Sequence, residues 1–399
     1  MNQVILDEPR QLREDGHLIT TAPVSIGGKR HELRYDVMPP WALAPEACIA
    51  DGLEPFVAAT FVPALSTGLP FEISKPISPR LLGNLERIQE IFHNWYPARF
   101  QRIPIVAQAK CVSITRKPSG TASFFSGGID SFYTLLKHRD EITHLIFVWG
   151  FDVRLDDAPL RAKVGDAIRE AAAQLGKPLI EVQTPLRSFA DSYASWEDSH
   201  GAALASVALL FSPFFGKVYI PASAPYSMLE PWGSHPLLDP LWSVEGTEIV
   251  HDGCEAYRFE KLSAIAGHEV VQHTLRVCWE NPSGEYNCGG CLKCLKAITI
   301  LRALGAFDRF RTFPRRLDLR AVARYCSSEL PSAAYPTMSM RSWQLSLQAL
   351  ERTGRDAALA RVLRDCLSRK YERGLPRLVE RVARLVERIK GRLARSRRS

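Results

Sequence analysis

Residues 124–131 read Phe-Phe-Ser-Gly-Gly-Ile-Asp-Ser, and this stretch decides the predicted fold. A short apolar segment at 122–125 predicts a strand and the pattern at 131–138 predicts a helix, so the stretch joins the two. Adjacent glycines let the backbone turn tightly and present consecutive N–H groups to an anion, and the helix start adds the positive end of its dipole. The sequence therefore predicts an anion-binding loop. It is not a Walker A loop, because no Gly-Lys-Ser/Thr follows.

The polar side chains of this loop suit a nucleotide site. Ser126 and Ser131 can donate hydroxyl hydrogen bonds, and Asp130 can cap the helix or help to hold Mg²⁺. The alternative is an ordinary strand-to-helix turn in which these side chains serve only as caps. The predicted nucleotide-binding residues are Ser126, Gly127, Gly128, Ile129, Asp130 and Ser131, and Asp130 and Ser131 are also predicted to be catalytic.

Beyond this loop, strand and helix patterns alternate along the chain. Strands are predicted at 144–149, 179–183 and 217–221, with helices at 159–175 and 201–211 between them. Strands separated by helices of this length imply right-handed crossovers and a parallel sheet covered on both faces. The fold class is therefore predicted to be α/β with a parallel, doubly wound sheet, whose ligands lie beyond the carboxyl ends of the strands.

Composition and the predicted secondary structure divide the chain into three predicted parts. Residues 1–117 contain many prolines, short apolar runs and one clear helical pattern at 79–95, which indicates an α+β domain. Pro118, Ser119 and Gly120 mark a plausible boundary. The loop-bearing domain is assigned to 118–305, and a helical segment without a convincing strand follows at 306–399.

Four cysteines form the second strong motif. Cys278, Cys288, Cys291 and Cys294 have the spacing C-x9-C-x2-C-x2-C. Four thiolates suit a closed tetrahedral Zn²⁺ site, for which we predict a structural role. Free buried thiols and an iron–sulfur cluster are the alternatives.

Ser-Gly-Gly-x-Asp-Ser resembles the PP-loop of the N-type ATP pyrophosphatases, a superfamily with an adenine nucleotide alpha hydrolase-like fold. Combined with the downstream cysteines, residues 122–304 resemble the branch of 7-cyano-7-deazaguanine synthase-like proteins. The resemblance implies that the loop grips the pyrophosphate portion of ATP, that the four cysteines hold Zn²⁺, and that a substrate oxygen attacks the α-phosphorus. It implies a ligase or synthase that forms an adenylate, then an amide or nitrile.

Other residues between the two motifs are candidates for the same site. Lys293, inside the cysteine cluster, can neutralise charge on the transferring phosphoryl group, ahead of Lys261 and Lys296; an exposed lysine on a helix is the alternative. Asp152 follows the strand at 144–149 and can reach the nucleotide or cap a turn. The segment 221–253 offers planar and titratable groups for a substrate, or is a structural loop. Its substrate candidates are Trp232, His235, Asp239 and Glu245, with His235 or Glu245 as a general base.

The formal net charge of +8 belongs to one end of the chain. Residues 370–399 hold eleven basic and three acidic residues, so residues 1–369 hold 40 of each sign. Apolar residues at steps of three and four predict an amphipathic helix at 375–393. We expect it to dock on the body of the protein; RNA or another nucleic acid, an anionic membrane surface or an acidic protein are alternative partners.

Composition excludes several classes of protein. With 46% apolar and 24% charged residues, the chain is neither disordered, collagen-like nor a disulfide-dense scaffold. Residues 1–16 lack the apolar core of a secretory signal, and the longest apolar stretch, 202–215, is too short to span a bilayer and predicts a buried helix. We therefore expect a cytoplasmic location.

Together, these features predict an enzyme that uses ATP, Mg²⁺ and Zn²⁺ to adenylate a carboxylate or similar oxygen of a small substrate. The balanced charge of residues 1–369 favours a small molecule over RNA. The alternatives are a tRNA-modifying adenylating enzyme and a nucleotide-binding partner subunit without turnover.

Overall fold

A computed structural model describes residues 2–39, 49–111, 118–281, 284–328 and 338–368. In this part of the chain, eleven strands form one mostly parallel sheet with helices on both faces, which confirms the predicted α/β class. The strand order is β11-β10-β7-β8-β9-β4-β3-β1-β5-β6, and β2 pairs with β3 outside this path. The strands are β1 (Val4–Leu6), β2 (Arg10–Glu14), β3 (His17–Ile26), β4 (Lys29–Val37), β5 (Phe71–Ile73), β6 (Ile105–Val106), β7 (Gly120–Phe124), β8 (His144–Trp149), β9 (Leu179–Gln183), β10 (Phe215–Pro221) and β11 (Glu248–Asp252).

The helices connect and cover these strands, and short 3-10 turns complete the longer loops. The helices are α1 (Glu54–Thr67), α2 (Pro79–Trp95), α3 (Ile129–Lys137), α4 (Ala158–Gln174), α5 (Leu186–Ala190), α6 (Trp196–Leu210), α7 (Arg258–Ile265), α8 (Glu269–Thr274), α9 (Leu292–Ala303), α10 (Leu319–Ser328) and α11 (Met338–Thr353). Residues 357–368 are also helical.

Strands β7 to β11 form the parallel part of the sheet, in the order β11-β10-β7-β8-β9. The chain runs outward from β7 through β8 to β9, then returns to the other side of β7 and continues through β10 to β11. The middle strands are almost fully buried, as expected for a parallel sheet covered on both faces. This order creates a switch point between β7 and β10, where the connections leave in opposite directions.

The two faces of the sheet are covered by separate apolar cores. Helices α3, α4, α7 and α9 contribute to one core, together with α10, α11 and residues 357–368. Helices α1, α2, α5 and α6 contribute to the other. Helix α6 is built largely from small and apolar residues and is buried along most of its length against α1. The apolar stretch that begins at residue 202 is thus a buried helix up to Leu210, as predicted.

The N-terminal strands continue the same sheet. Val37 pairs with Val182 where β4 meets β9 in antiparallel orientation, and the Met38 N–H donates to the carbonyl of Glu181 at 2.9 Å. The buried Tyr35 hydroxyl donates to Ser206 Oγ at 2.9 Å. The predicted boundary at 117/118 therefore does not separate two sheets, and one core contains residues from both sides of it.

Several predicted segments differ from the structure or lie outside the described residues. Strand β11 lies inside the 221–253 segment, for which no strand was predicted. Beyond residue 306, the described residues contain helices and no strand. The predicted basic helix at 375–393 lies outside the described residues. Among the helices that are described, none has both the length and the apolar content to cross a bilayer.

Candidate functional site

A cavity opens at the carboxyl ends of β7, β8 and β10, at the switch point of the parallel sheet. This is where ligands of doubly wound sheets bind. The cavity is lined by Phe124, Phe125, Ser126, Gly128, Ile129, Asp130, Ser131, Ile146, Phe147, Val148, Phe151, Asp152, Leu204, Pro221, Ser223, Arg258, Arg276, Val277, Cys278, Trp279 and Lys293. The predicted loop, Asp152, Lys293 and one cysteine of the cluster thus meet at one place.

The loop between β7 and α3 has the turn that its two glycines predict. Gly127 adopts a φ of +69°, in the left-handed region that side chains disfavour. Gly128 is the N-cap residue of α3; its N–H donates to Ser131 Oγ at 3.1 Å, and Ser131 Oγ donates back to the Gly128 carbonyl at 3.1 Å. Ser131 is buried and braces the loop, whereas Ser126 is exposed at the cavity.

Asp130 is held by two cations that extend from α7. Its Oδ2 accepts a hydrogen bond from Arg258 Nη2 at 2.9 Å, and its Oδ1 accepts one from Lys261 Nζ at 3.2 Å. Desolvation opposes ionisation, but the charges of Arg258 and Lys261 lower the pKa of Asp130 below its ordinary value. Lys261 is fully buried and also donates to the carbonyl of Ala222. The carboxylate is therefore ionised and occupied on both oxygens.

Arg276 is a cavity residue that the sequence did not single out. Only 6% of its surface is exposed, its backbone N–H donates to the Gly127 carbonyl at 2.9 Å, and its Nη2 donates to Asn281 Oδ1 at 2.8 Å. Its Nε is buried and has no hydrogen-bond partner among the described residues, and the same holds for Arg258 Nε. A buried guanidinium N–H without a partner is costly, so an anionic ligand at this end of the cavity would satisfy both groups.

Lys293 and Asp152 occupy the open side of the cavity. Desolvation, followed by the charge of nearby Arg258, lowers the pKa of Lys293, and its Nζ lies 5.5 Å from the centroid of the Trp279 ring. Asp152 is exposed just after β8. Lys296, in contrast, is buried on α9 with its Nζ 6.0 Å from the ring of Trp343, away from the cavity. Of the three lysines weighed from sequence, Lys293 is the one that lines the cavity.

The four cysteines converge as their spacing predicts. Their sulfur atoms all lie within 4.8 Å of one another, with 3.9 Å between Cys278 and Cys291 and between Cys288 and Cys294. Tetrahedral coordination with a Zn–S bond of about 2.3 Å places the sulfurs about 3.8 Å apart. The Cys291 N–H also donates to Cys288 Sγ at 3.3 Å. The donor set and its spacing therefore fit a closed metal site such as one for Zn²⁺.

The cysteine cluster and the cavity share one segment of backbone. Residues 276–279 carry Arg276 beside the loop between β7 and α3, Cys278 in the cluster and Trp279 at the cavity. The buried side chain of Asn287 accepts hydrogen bonds from the N–H groups of Val277 at 2.9 Å and Cys278 at 3.1 Å. Metal coordination would thus fix one wall of the cavity.

The structure does not bring the four substrate candidates of 221–253 into this cavity. Trp232 is 44% exposed and lies edge-on to His200, with 5.8 Å between ring centroids. His235 is buried against Trp95, with 5.0 Å between ring centroids. Glu245 Oε1 accepts from the Arg80 N–H at 2.8 Å, which caps the start of α2. Each of these three has a structural partner away from the lining, so the predicted general base, His235 or Glu245, does not lie at this cavity.

Asp239 is a buried structural carboxylate. Its Oδ2 accepts a hydrogen bond from Ser234 Oγ at 2.7 Å and contacts His251 Nδ1 at 2.7 Å. Desolvation acts against the protonated ring, but hydrogen bonds to Asp239 and Cys254 raise the pKa of His251 to about 9. The pair anchors β11 to the loop before it and lies outside the cavity lining.

Comparisons with known proteins add no family. No protein-family model matches the sequence, and no curated protein matches it. A solved structure that does match is a type III CRISPR defence DNA nuclease activated by cyclic oligoadenylate, with 10% sequence identity and a TM-score of 0.19. The match covers 80% of this chain and 56% of that one, so the chain spans little more than half of its length. A TM-score this low carries no argument about fold or function.

Proposed function

We propose that the chain is an ATP pyrophosphatase-type enzyme of the PP-loop kind that adenylates an oxygen of a small substrate. The observation that carries the proposal is the phosphate-loop sequence at the switch point, facing the buried guanidinium of Arg276, whose Nε has no partner among the described residues. Loop N–H groups, the start of α3 and this guanidinium form a cradle for an anion with several oxygens.

The cavity lining offers polar groups for phosphates and apolar groups for a base. Ser126 and Arg276 would bind the β- and γ-phosphates at the loop, and the apolar wall near Ile146 and Phe151 would receive the adenine. A substrate oxygen would attack the α-phosphorus as the bond to the bridging oxygen of the β-phosphate breaks and pyrophosphate leaves. Lys293, which lines the cavity, would stabilise the negative charge that develops on the phosphoryl oxygens. A nucleophile would then displace AMP.

Zn²⁺ would serve this reaction by shaping the cavity wall. Four cysteine ligands leave no open coordination position, so a structural role follows from the donor set. When bound, the ion would hold Cys278 and, through the backbone, Trp279 and Arg276. The proposed substrate is a small molecule with a carboxylate or similar oxygen. This substrate class is what the resemblance to 7-cyano-7-deazaguanine synthase-like proteins implies.

The test is product analysis with ATP labelled on the α-phosphate. We expect AMP and pyrophosphate in the presence of the right substrate, and at least a 100-fold lower rate for Arg276→Gln, because the buried charge-assisted contacts to phosphate are lost. Arg139→Gln, at an exposed arginine in the turn that follows α3, is the matched control. Release of ADP and phosphate would overturn the proposal, and ATP binding without turnover on any candidate acid would favour a nucleotide-sensing subunit.

A further inference from the structure

Asp130 is the loop residue for which a magnesium-binding role was considered, and its surroundings do not fit that role. A carboxylate that binds Mg²⁺ turns an oxygen towards the ion. Here Arg258 Nη2 lies 2.9 Å from one oxygen and Lys261 Nζ lies 3.2 Å from the other. A dication beside these two positive groups would be repelled, so the geometry favours a different role for this carboxylate.

We propose that Asp130 is a positioning residue that holds the guanidinium of Arg258 at the phosphate loop, where Arg258 itself contacts the ligand. The inference rests on the proposed nucleotide site. Arg258 reaches the cavity from the first residue of α7, and only 18% of its side chain is exposed. A guanidinium has five N–H donors, of which Asp130 engages one at Nη2, while the buried Nε has no partner among the described residues.

The balance of charge at this corner also calls for an anion. Arg258 and Lys261 are paired with Asp130, and Lys293 lines the same cavity, whereas Asp130 and Asp152 supply the two negative charges of the lining. Lys261 is buried and committed to Asp130 and the Ala222 carbonyl. Arg276, whose backbone N–H donates to the Gly127 carbonyl, brings a further buried positive charge to the same cavity. A polyphosphate that contacts both Arg258 and Arg276 would neutralise this excess.

Binding of inorganic pyrophosphate and of ATP, measured by calorimetry over a range of Mg²⁺ concentrations, tests the inference. We expect Arg258→Gln and Asp130→Asn each to weaken pyrophosphate binding about 10- to 100-fold, because each removes or misplaces the same charged donor. The double variant should lose no more than one single variant does, since the two residues act as a unit. The Mg²⁺ concentration at half saturation should be the same in these variants as in the wild type. Asp130→Glu should bind pyrophosphate more tightly than Asp130→Asn does, because it keeps a carboxylate for Arg258.

The matched control is Asp140→Asn, an exposed aspartate with the same change of charge. Asp130→Asn also leaves the buried Lys261 without its carboxylate. Arg258→Lys is therefore a second variant: it leaves Asp130 and Lys261 unchanged and keeps the positive charge at position 258, but it loses the planar set of guanidinium donors. A higher Mg²⁺ requirement in Asp130→Asn alone, losses that multiply in the double variant, or wild-type affinity in both singles would overturn the inference.

The result also separates this inference from the proposed function. If the wild-type chain binds pyrophosphate and the variants behave as expected, but no AMP forms with any acid, adenylation fails and the role of Arg258 stands. If the wild-type chain binds neither pyrophosphate nor ATP, both fall.

Discussion

At the scale of single residues, Gly127 shows why the loop needs glycine. Its φ of +69° is strained for any side chain, and a Cβ built there would lie 2.9 Å from Cδ1 of Ile168. We expect Gly127→Ala to lower the free energy of unfolding by about 1–3 kcal/mol and to weaken ATP binding, because the loop must shift. Chemical denaturation and calorimetry measure the two effects.

The matched control for this prediction is Gly83→Ala. Gly83 is an exposed residue inside α2 with ordinary φ and no atom within 4 Å of the added Cβ. Alanine there should stabilise the protein by about 0.5–1 kcal/mol. Equal behaviour of the two variants would show that the loop conformation is not a requirement.

A second residue-scale prediction concerns pH. The buried contact with Asp239 raises the pKa of His251 to about 9, above the ordinary value of 6.5. The folded state therefore keeps a proton that the unfolded state loses. The contribution of this proton to the free energy of unfolding, about 3 kcal/mol, should be complete below pH 6.5 and lost as the pH rises to about 9.

The measurement is urea denaturation of the wild type and His251→Gln from pH 6 to 9.5. The stability difference between the two should shrink as pH rises, whereas the exposed His268→Gln variant should run parallel to the wild type. A difference that stays constant or grows with pH would show that His251 is neutral in the folded protein.

At the scale of elements, patterns along the chain predicted most of the parallel sheet. The bounds of β8, β9 and α2 agree with the predicted 144–149, 179–183 and 79–95, because apolar runs and the Ser78-Pro79 helix start are local signals. Strand β11 was missed because its sequence, Glu-Ile-Val-His-Asp, has polar ends and is paired on one edge only. Strand β11 is stabilised by pairing with β10, and a local sequence pattern does not show the pairing partner of a strand.

The site divides in the same way. The loop and the cysteines have local signals in their spacing, and the structure places the loop at the cavity and brings the four sulfur atoms together. Arg276 and Arg258 have no motif, and only folding brings them from 276 and 258 to the loop at 126–131. The substrate candidates of segment 221–253 lie outside the cavity lining, because a sequence pattern does not distinguish aromatic and titratable residues that pack in a loop from those that line a cavity.

The cysteine cluster gives a prediction at the element scale, because it joins a loop to the start of α9. Cys288→Ser should remove the metal and lower the free energy of unfolding by more than about 3 kcal/mol, since metal binding contributes directly to folding. Elemental analysis should give close to one zinc per wild-type chain and little in the variant. Cys111→Ser, at an exposed free cysteine, should retain the zinc. Iron in place of zinc, or full zinc content in Cys288→Ser, would contradict the assignment.

At the scale of the whole molecule, the described residues share one sheet across the predicted boundary at 117/118. Helix α1 is buried along twelve consecutive residues, which is expected only for a helix packed on several sides. It packs against α6, and β4 extends the sheet at β9. The boundary was predicted from a change in composition and sequence pattern along the chain. Contacts across it depend on tertiary structure, which such a pattern does not record.

The last prediction is that residues on the two sides of this boundary unfold together. Phe61 in α1 is fully buried, and its ring lies edge-on to Trp242 with 6.4 Å between centroids. Phe61→Ala should cost about 3–5 kcal/mol from the cavity that it leaves. Because this core contains residues from both sides of the boundary and one sheet joins it to the part that carries the cysteines, zinc release and tryptophan fluorescence should shift together to lower denaturant in one transition. Leu12→Ala, on the exposed β2, should shift neither signal. A shift in fluorescence with zinc release at its wild-type midpoint would contradict this prediction. Residues 1–117 would then be an independent folding unit, and the boundary predicted from sequence would separate two folding units.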